Sequence, residues 1–153
     1  WDVSGHTASH MAYILDIDGQ KHCFCGDTLF SAGCGRVFTG TIEQLHESFK
    51  RLNGLPAETL LYPAHEYTAS NLRFGLSIEP TNEAMQQALI QAEEKTAQGV
   101  PTLPVTLEHE RAINVFLRTQ EPSVIAGVKS KVIIDDDKSL TIFAALRELK
   151  NNF

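Results

Sequence analysis

The chain has 153 residues, of which 42% are apolar and 21% charged; it is long enough for a packed core and too apolar for wholesale disorder. Its formal net charge of -6 at pH 7 disfavours nonspecific binding to nucleic acid or to an anionic membrane, and it leaves room for a local basic pocket. No apolar run approaches the roughly 20 residues needed to cross a bilayer, and the three cysteines, Cys23, Cys25 and Cys34, lack the spacing of a disulfide scaffold, which points to a reducing, cytoplasmic compartment.

The chain opens at Trp1 with neither an initiator Met nor a signal peptide, which suggests a fragment of a longer parent, and Trp1 itself reads as a core residue. Residues 11–17 read as a strand, Asp18-Gly19 as a two-residue turn, and residues 21–25 as the partner strand. On that strand Cys23 and Cys25 fall on one face and read as small buried thiols. Residues 31–36, with Gly33 and Gly35, read as a loop. Thr41-Ile42-Glu43-Gln44 matches a capping box, and Ile42, Leu45, Phe49 and Leu52 continue at helical spacing to Asn53-Gly54. Residues 59–62 form a short strand leading to His65.

Beyond His65 helical patterns take over. Helices are predicted over residues 81–98, stopped by Gly99 and Pro101, and over roughly 107–117. Ser139 is the expected cap of a last helix with Ile142, Phe143, Leu146 and Leu149 on one stripe. Residues 127–138 read as irregular, with Asp135, Asp136 and Asp137 solvated. A boundary between a sheet-rich and a helical part falls soon after His65.

His6, Asp27 and His65 each follow an extended stretch, where a sheet presents side chains for binding. Two imidazoles and a carboxylate suit Zn²⁺, Fe²⁺ or Mn²⁺, and the carboxylate can bridge two ions. Spacing alone does not separate this reading from ordinary turn chemistry at Gly26-Asp27. His10 reads as a support for the site through packing or a hydrogen bond. His22, His46 and His109 read as surface or structural residues.

The words around these residues are more specific. Gly5-His6-Thr7-Ala8-Ser9-His10, Phe24-Cys25-Gly26-Asp27-Thr28-Leu29-Phe30, Gly33-Cys34-Gly35-Arg36, Gly40-Thr41, His65-Glu66-Tyr67-Thr68 and Asn71-Leu72 occur in that order. In combination they resemble the metallo-β-lactamase superfamily and, within it, the glyoxalase II (hydroxyacylglutathione hydrolase) family. The likeness runs on through the C-terminal Arg147-Glu148-Leu149-Lys150-Asn151-Asn152-Phe153.

The resemblance implies an α/β chain. Residues 1–65 would be the C-terminal half of a metallo-β-lactamase-like αββα sandwich, and residues 66–153 a mainly helical, glutathione-binding domain. It implies hydrolysis of S-D-lactoylglutathione and similar thioesters at two divalent metal ions, most often zinc, with iron or manganese as alternatives. The positions matching His6 and His65 would each bind one ion, and that matching Asp27 would bridge both. Hydroxide held between the ions would attack the thioester carbonyl. Positions matching Arg36, Tyr67, Arg147 and Lys150 would contact glutathione, whose carboxylates call for cations.

The family's His-x-His-x-Asp-His motif has no counterpart in this chain, so the metal centre is expected to be incomplete or absent in the chain alone. An exposed sheet face is expected to pair with a second copy or with the missing half. Two alternatives are a glutathione persulfide dioxygenase with a single iron, which shares the Gly-Cys-Gly-Arg loop but lacks the basic helical tail, and a catalytically inert half-domain.

Overall fold

A computed structural model describes residues 1–153. In chain order its elements are β1 (Tyr13–Ile17), β2 (Gln20–Gly26), β3 (Leu29–Phe30), β4 (Gly33–Cys34), α1 (Ile42–Asn53), β5 (Leu60–Pro63), α2 (Thr68–Ile78), α3 (Glu83–Ala97), β6 (Val105–Thr106), α4 (Leu107–Ile113), α5 (Pro122–Lys129) and α6 (Ser139–Asn151). No helix is long and apolar enough to cross a membrane.

The first hairpin forms as the pattern predicts. Asp18 and Gly19 both take positive φ, 53° and 82°, as a tight two-residue turn requires. Tyr13 pairs with Phe24 and Ile17 with Gln20 across the antiparallel ladder. Cys23 and Cys25 are fully buried on the inner face as free thiols. The outer face carries Tyr13, Leu15, Ile17 and Phe24, all exposed. The sheet order is β1-β2-β5-β6, with β5 parallel to β2 and β6 antiparallel to β5. β6 comes from the helical part of the sequence, so the sheet extends beyond the boundary expected near His65.

α1 starts with the capping box. Thr41 Oγ1 accepts from the Gln44 amide at 3.2 Å, and the Gln44 side chain accepts from the Thr41 amide at 2.9 Å. Its apolar stripe buries Leu45, Phe49 and Leu52. Phe49 packs edge-on to Phe143 of α6, with ring centroids 5.1 Å apart, and Phe143 meets Phe116 at 5.4 Å. One apolar core therefore runs through both parts of the chain.

Several expectations need correction. Residues 31–36 are not simply a loop: Gly33–Cys34 pair with Leu29–Phe30 in a second small hairpin. α4 ends at Ile113, because the Asn114 side chain turns back to bond the Phe30 and Gly33 carbonyls. α5 occupies part of the stretch read as irregular. Ser139 is the first residue of α6 rather than its cap; its hydroxyl bonds His46 Nε2 at 2.8 Å and Thr119 Oγ1 at 2.7 Å instead. Trp1 is not in the core: it is 41% exposed, with the Arg51 guanidinium 4.5 Å from its ring centroid. Asp136 is not merely solvated, since it accepts from Thr141 Oγ1 and the Lys138 amide at the start of α6.

The small hairpin is tied to the helices by a buried carboxylate. Glu110 of α4 is fully buried, accepts from Ser31 Oγ at 2.6 Å, the Ala32 amide at 2.8 Å and Asn114 Nδ2 at 3.0 Å, and pairs with no cation. Ala32 has φ of 56°, a left-handed conformation costing an L residue about 1–2 kcal/mol, so the turn persists only because it is held. Burial pushes the Glu110 carboxyl from its ordinary 4.5 up to about 7, and the three donated hydrogen bonds only partly oppose that. Because the folded value is raised, the folded chain holds a proton between pH 4.5 and 7 that the unfolded chain has lost. Stability attributable to this group is full below about pH 4.5 and falls as the pH rises through about 7, by a total on the order of 3 kcal/mol. Urea titrations at pH 5 and pH 8 should show this slope in the parent and a much flatter one in Glu110→Gln; equal slopes would refute the assignment.

Candidate metal centre and cleft

The parallel pairing of β2 with β5 brings the candidate donors together. Gly26 pairs with Pro63, and the Gly26 carbonyl accepts from the Ala64 amide at 3.0 Å. Residues just beyond the C-terminal ends of the two strands are therefore neighbours, at the edge where α/β sheets present ligands. Asp27 Oδ1 lies 3.2 Å from His65 Nε2. The other oxygen, Oδ2, lies 4.0 Å from His6 Nε2.

Each donor is oriented by the backbone around it. His6 Nδ1 faces the Arg36 carbonyl at 2.8 Å; a carbonyl only accepts, so Nδ1 carries a hydrogen, and Nε2 is the nitrogen turned toward Asp27. The Phe38 amide donates to the His6 carbonyl at 2.9 Å. The Asp27 amide donates to His10 Nε2 at 3.0 Å, the supporting bond expected of His10. Gly26, at φ 56°, makes the turn that permits this, and a Cβ there would lie 2.5 Å from His10 Nε2. A Cβ on Gly35 would collide with the Asp27 carbonyl oxygen, so the Gly33–Arg36 segment and Asp27 pack backbone to backbone.

Imidazole and carboxylate donors of this kind fit a divalent ion. Two donors about 2.0–2.1 Å from one tetrahedral ion lie about 3.4 Å apart. The His65–Asp27 separation is close to that value and the His6–Asp27 separation somewhat longer. No three His, Cys, Asp or Glu side chains converge on a single point. The arrangement is one histidine facing each oxygen of the Asp27 carboxylate.

The same groups form one end of a cleft of about 730 Å³, within the range of ligand sites. All seven residues singled out from the sequence line it: His6, Asp27, His65, Arg36, Tyr67, Arg147 and Lys150. Tyr67 stacks on His65 with ring centroids 5.2 Å apart and meets Phe30 edge-on at 5.1 Å. Arg147 is more buried than a surface receptor for carboxylates would be. Its Nη1 donates to the Cys34 carbonyl at 2.8 Å, and its Nε is buried without a partner. Lys150 Nζ lies 5.3 Å from the rings of both Phe74 and Phe153. Burial, then the neighbouring Arg147, holds its pKa below the ordinary lysine value. Asp27 is the sole acidic residue in the lining, so the far end is cationic and suited to an anionic ligand.

Cys34 also lines the cleft, but burial pushes its thiol up to about 11, which argues against a reactive thiolate. Phe38 and Phe153, each about two-thirds exposed, were not singled out from the sequence, because an aromatic at an irregular position carries no periodic signal. Glu66 turns away from the cleft and accepts from the Thr102 and Leu103 amides at 2.9 and 3.3 Å, which anchors the His65–Tyr67 segment.

His10→Ala should cost about 1–3 kcal/mol in chemical denaturation, since it strands the Asp27 amide. It should also weaken zinc binding about 10–100-fold, as loss of an outer support does. Calorimetry showing unchanged zinc affinity would remove His10 from the site.

Comparison with known proteins identifies the family. A family model described as "Hydroxyacylglutathione hydrolase C-terminus" matches residues 66–153, and one for the metallo-beta-lactamase superfamily matches residues 2–65. Hydroxyacylglutathione hydrolase of Neisseria meningitidis is 57% identical over 153 residues, 100% of this chain and 59% of that protein. That of Vibrio cholerae is 53% identical over 151 residues, 99% of this chain and 58% of that protein. The chain thus spans about three fifths of the length of the curated relatives it matches. A solved metallo-beta-lactamase from Staphylococcus aureus superposes on 97% of this chain, and on 37% of its own, with a TM-score of 0.51 at 16% identity, a likeness of fold alone. The chain belongs to the hydroxyacylglutathione hydrolase family of the metallo-β-lactamase superfamily.

Proposed function

We propose that this cleft hydrolyses S-(2-hydroxyacyl)glutathione thioesters, such as S-D-lactoylglutathione, to glutathione and the hydroxy acid. The observation that carries the reading is the meeting of two histidines around one carboxylate with three cations and a tyrosine in a single cleft. Asp27, His6 and His65 are the residues of this chain that would hold divalent ions in the cleft. Imidazole and carboxylate donors suit zinc first and accept iron or manganese. Bound there, such ions supply Lewis acidity and a water-derived nucleophile at neutral pH.

The chain's own residues do the rest. Arg36 and Lys150 pair with the glutathione carboxylates, and Arg147, fixed against the Cys34 carbonyl, sets a positive potential behind them. The Tyr67 hydroxyl adds a neutral hydrogen bond. The rings of Phe30 and Tyr67 pack against the His65 imidazole and fix its position. Anchoring the peptide at the cationic end places its thioester at the Asp27 end, so binding energy from the remote part of the substrate orients the reacting carbonyl.

The basic residues of α6 in the cleft favour this reading over a persulfide dioxygenase. The apolar outer face of β1 and β2 supports pairing with further sequence of the kind the longer relatives carry. Free buried cysteines suit a reducing compartment, and we place the protein in the cytoplasm.

The test is made on the chain extended to the length of its relatives. Elemental analysis should give about two ions per chain, and about one or none in Asp27→Ala, with thioesterase activity lost. Lys150→Ala and Arg36→Ala should each lower kcat/KM about 10–100-fold, chiefly by raising KM. Full turnover in Asp27→Ala, or equal rates on a thioester lacking glutathione, would overturn the reading. Oxygen uptake on glutathione persulfide would instead select the dioxygenase.

A further inference from the structure

We infer that Glu110 and Asn114 are positioning residues for the cleft: they fix the Ser31-Ala32 turn and, through it, the Cys34–Arg36 wall. The inference rests on the proposed ligand class only where ligand affinity is measured.

The turn makes few bonds of its own, since β3 and β4 are two residues each and too short to be stable alone. Its polar groups are met by helix side chains. Glu110 takes the Ser31 hydroxyl and the Ala32 amide. Asn114 Nδ2 donates to the Phe30 and Gly33 carbonyls at 3.2 and 3.0 Å, and Asn71 Nδ2 to the Ser31 carbonyl at 3.0 Å. Ala32 sits at positive φ where glycine would be unstrained, so the turn relaxes if those bonds are lost. Glu110 and Asn114 are both fully buried, so no bulk water stands ready to replace them.

Both ends of this hairpin open onto the cleft. Phe30, at one end, meets Tyr67 and His65. Cys34, at the other, gives its carbonyl to Arg147, and two residues later the Arg36 carbonyl orients His6. A shift of the turn therefore moves a cation of the ligand end and the acceptor that sets the His6 ring. A carboxylate is a costly way to fill a core position: α4 otherwise buries Leu107 and Ile113 on that face. What the carboxylate supplies beyond packing is two acceptors aimed at one turn.

The experiment compares Glu110→Ala, Glu110→Gln and Ser31→Ala in the protein extended to the length of its relatives. Hydrogen exchange is followed by residue, and affinity for the inert analogue S-butylglutathione by calorimetry. Glu110→Ala should speed exchange at residues 31–36 at least about 10-fold and weaken the analogue about 10-fold. Glu110→Gln keeps an acceptor for the Ala32 amide and a donor for the Ser31 hydroxyl, and it should restore both. Ser31→Ala, which removes one bond, should shift both in the same direction by less, and it keeps the test alive if Glu110→Ala fails to fold. Faster exchange spread over the whole chain, or faster exchange at 31–36 with unchanged affinity, would overturn the inference. If the unmodified protein itself fails to bind the analogue, the glutathione reading fails instead. The positioning claim is then decided by exchange at 31–36 and by the His6 Nδ1 nitrogen shift, which moves in Glu110→Ala if the claim holds and stays put if it does not.

Discussion

The arrangement of this chain depends on a buried carboxylate meeting a strained turn. Glu110 lies in the helical part and Ser31-Ala32 in the sheet part, and their bonds cross the junction between them. Without that junction the small hairpin would have neither ladder nor packing sufficient to stay in place. With it, the core aromatics of α1, α6 and the Asn114–Phe116 segment close around a single centre, and the cleft becomes a fixed gap between the parts. The ionisation cost of burying Glu110 is tolerated because its oxygens have donors, which is the condition under which buried polar groups specify a geometry.

Two independent constraints then fill the cleft. Parallel pairing of β2 with β5 forces Asp27 and His65 into proximity, whatever their side chains. The bonds from His10 to the Asp27 amide and from His6 to the Arg36 carbonyl then set the orientation of the donors. At the opposite end, an acidic protein gathers Arg36, Arg147 and Lys150 without a matching carboxylate among them. Burial first, and the neighbouring Arg147 next, hold the Lys150 pKa below its ordinary value. The cleft therefore runs from imidazole and carboxylate donors at one end to cations at the other.

Much of the fold was legible in the sequence, for reasons that show where such reading stops. α1 announced itself through its capping box and apolar stripe, and the first hairpin through Asp18-Gly19. The β3–β4 hairpin did not, because two-residue strands have no periodicity and the left-handed position is an alanine. The helical pattern runs past the end of α4 because Asn114 keeps the phase in sequence while its side chain is committed elsewhere. Trp1 was read as core by residue type alone, yet it lies under Arg51 at the surface. His6, Asp27 and His65 stand out by their places after extended stretches, whereas Arg36, Tyr67, Arg147 and Lys150 rest on ordered sequence words resembling a family. Glu110 was passed over, although a glutamate in apolar phase with Leu107 and Ile113 was a readable sign.

If the metal donors and a glutathione-binding end share one cleft, paramagnetic relaxation shows it in the protein extended to the length of its relatives, loaded with Mn²⁺ and titrated with S-butylglutathione. Strong broadening of the butyl protons next to sulfur and weak broadening of the glutathione carboxyl ends are expected, both lost in Asp27→Ala. Saturable binding of the analogue with no broadening would place ligand and metal apart and contradict a shared cleft.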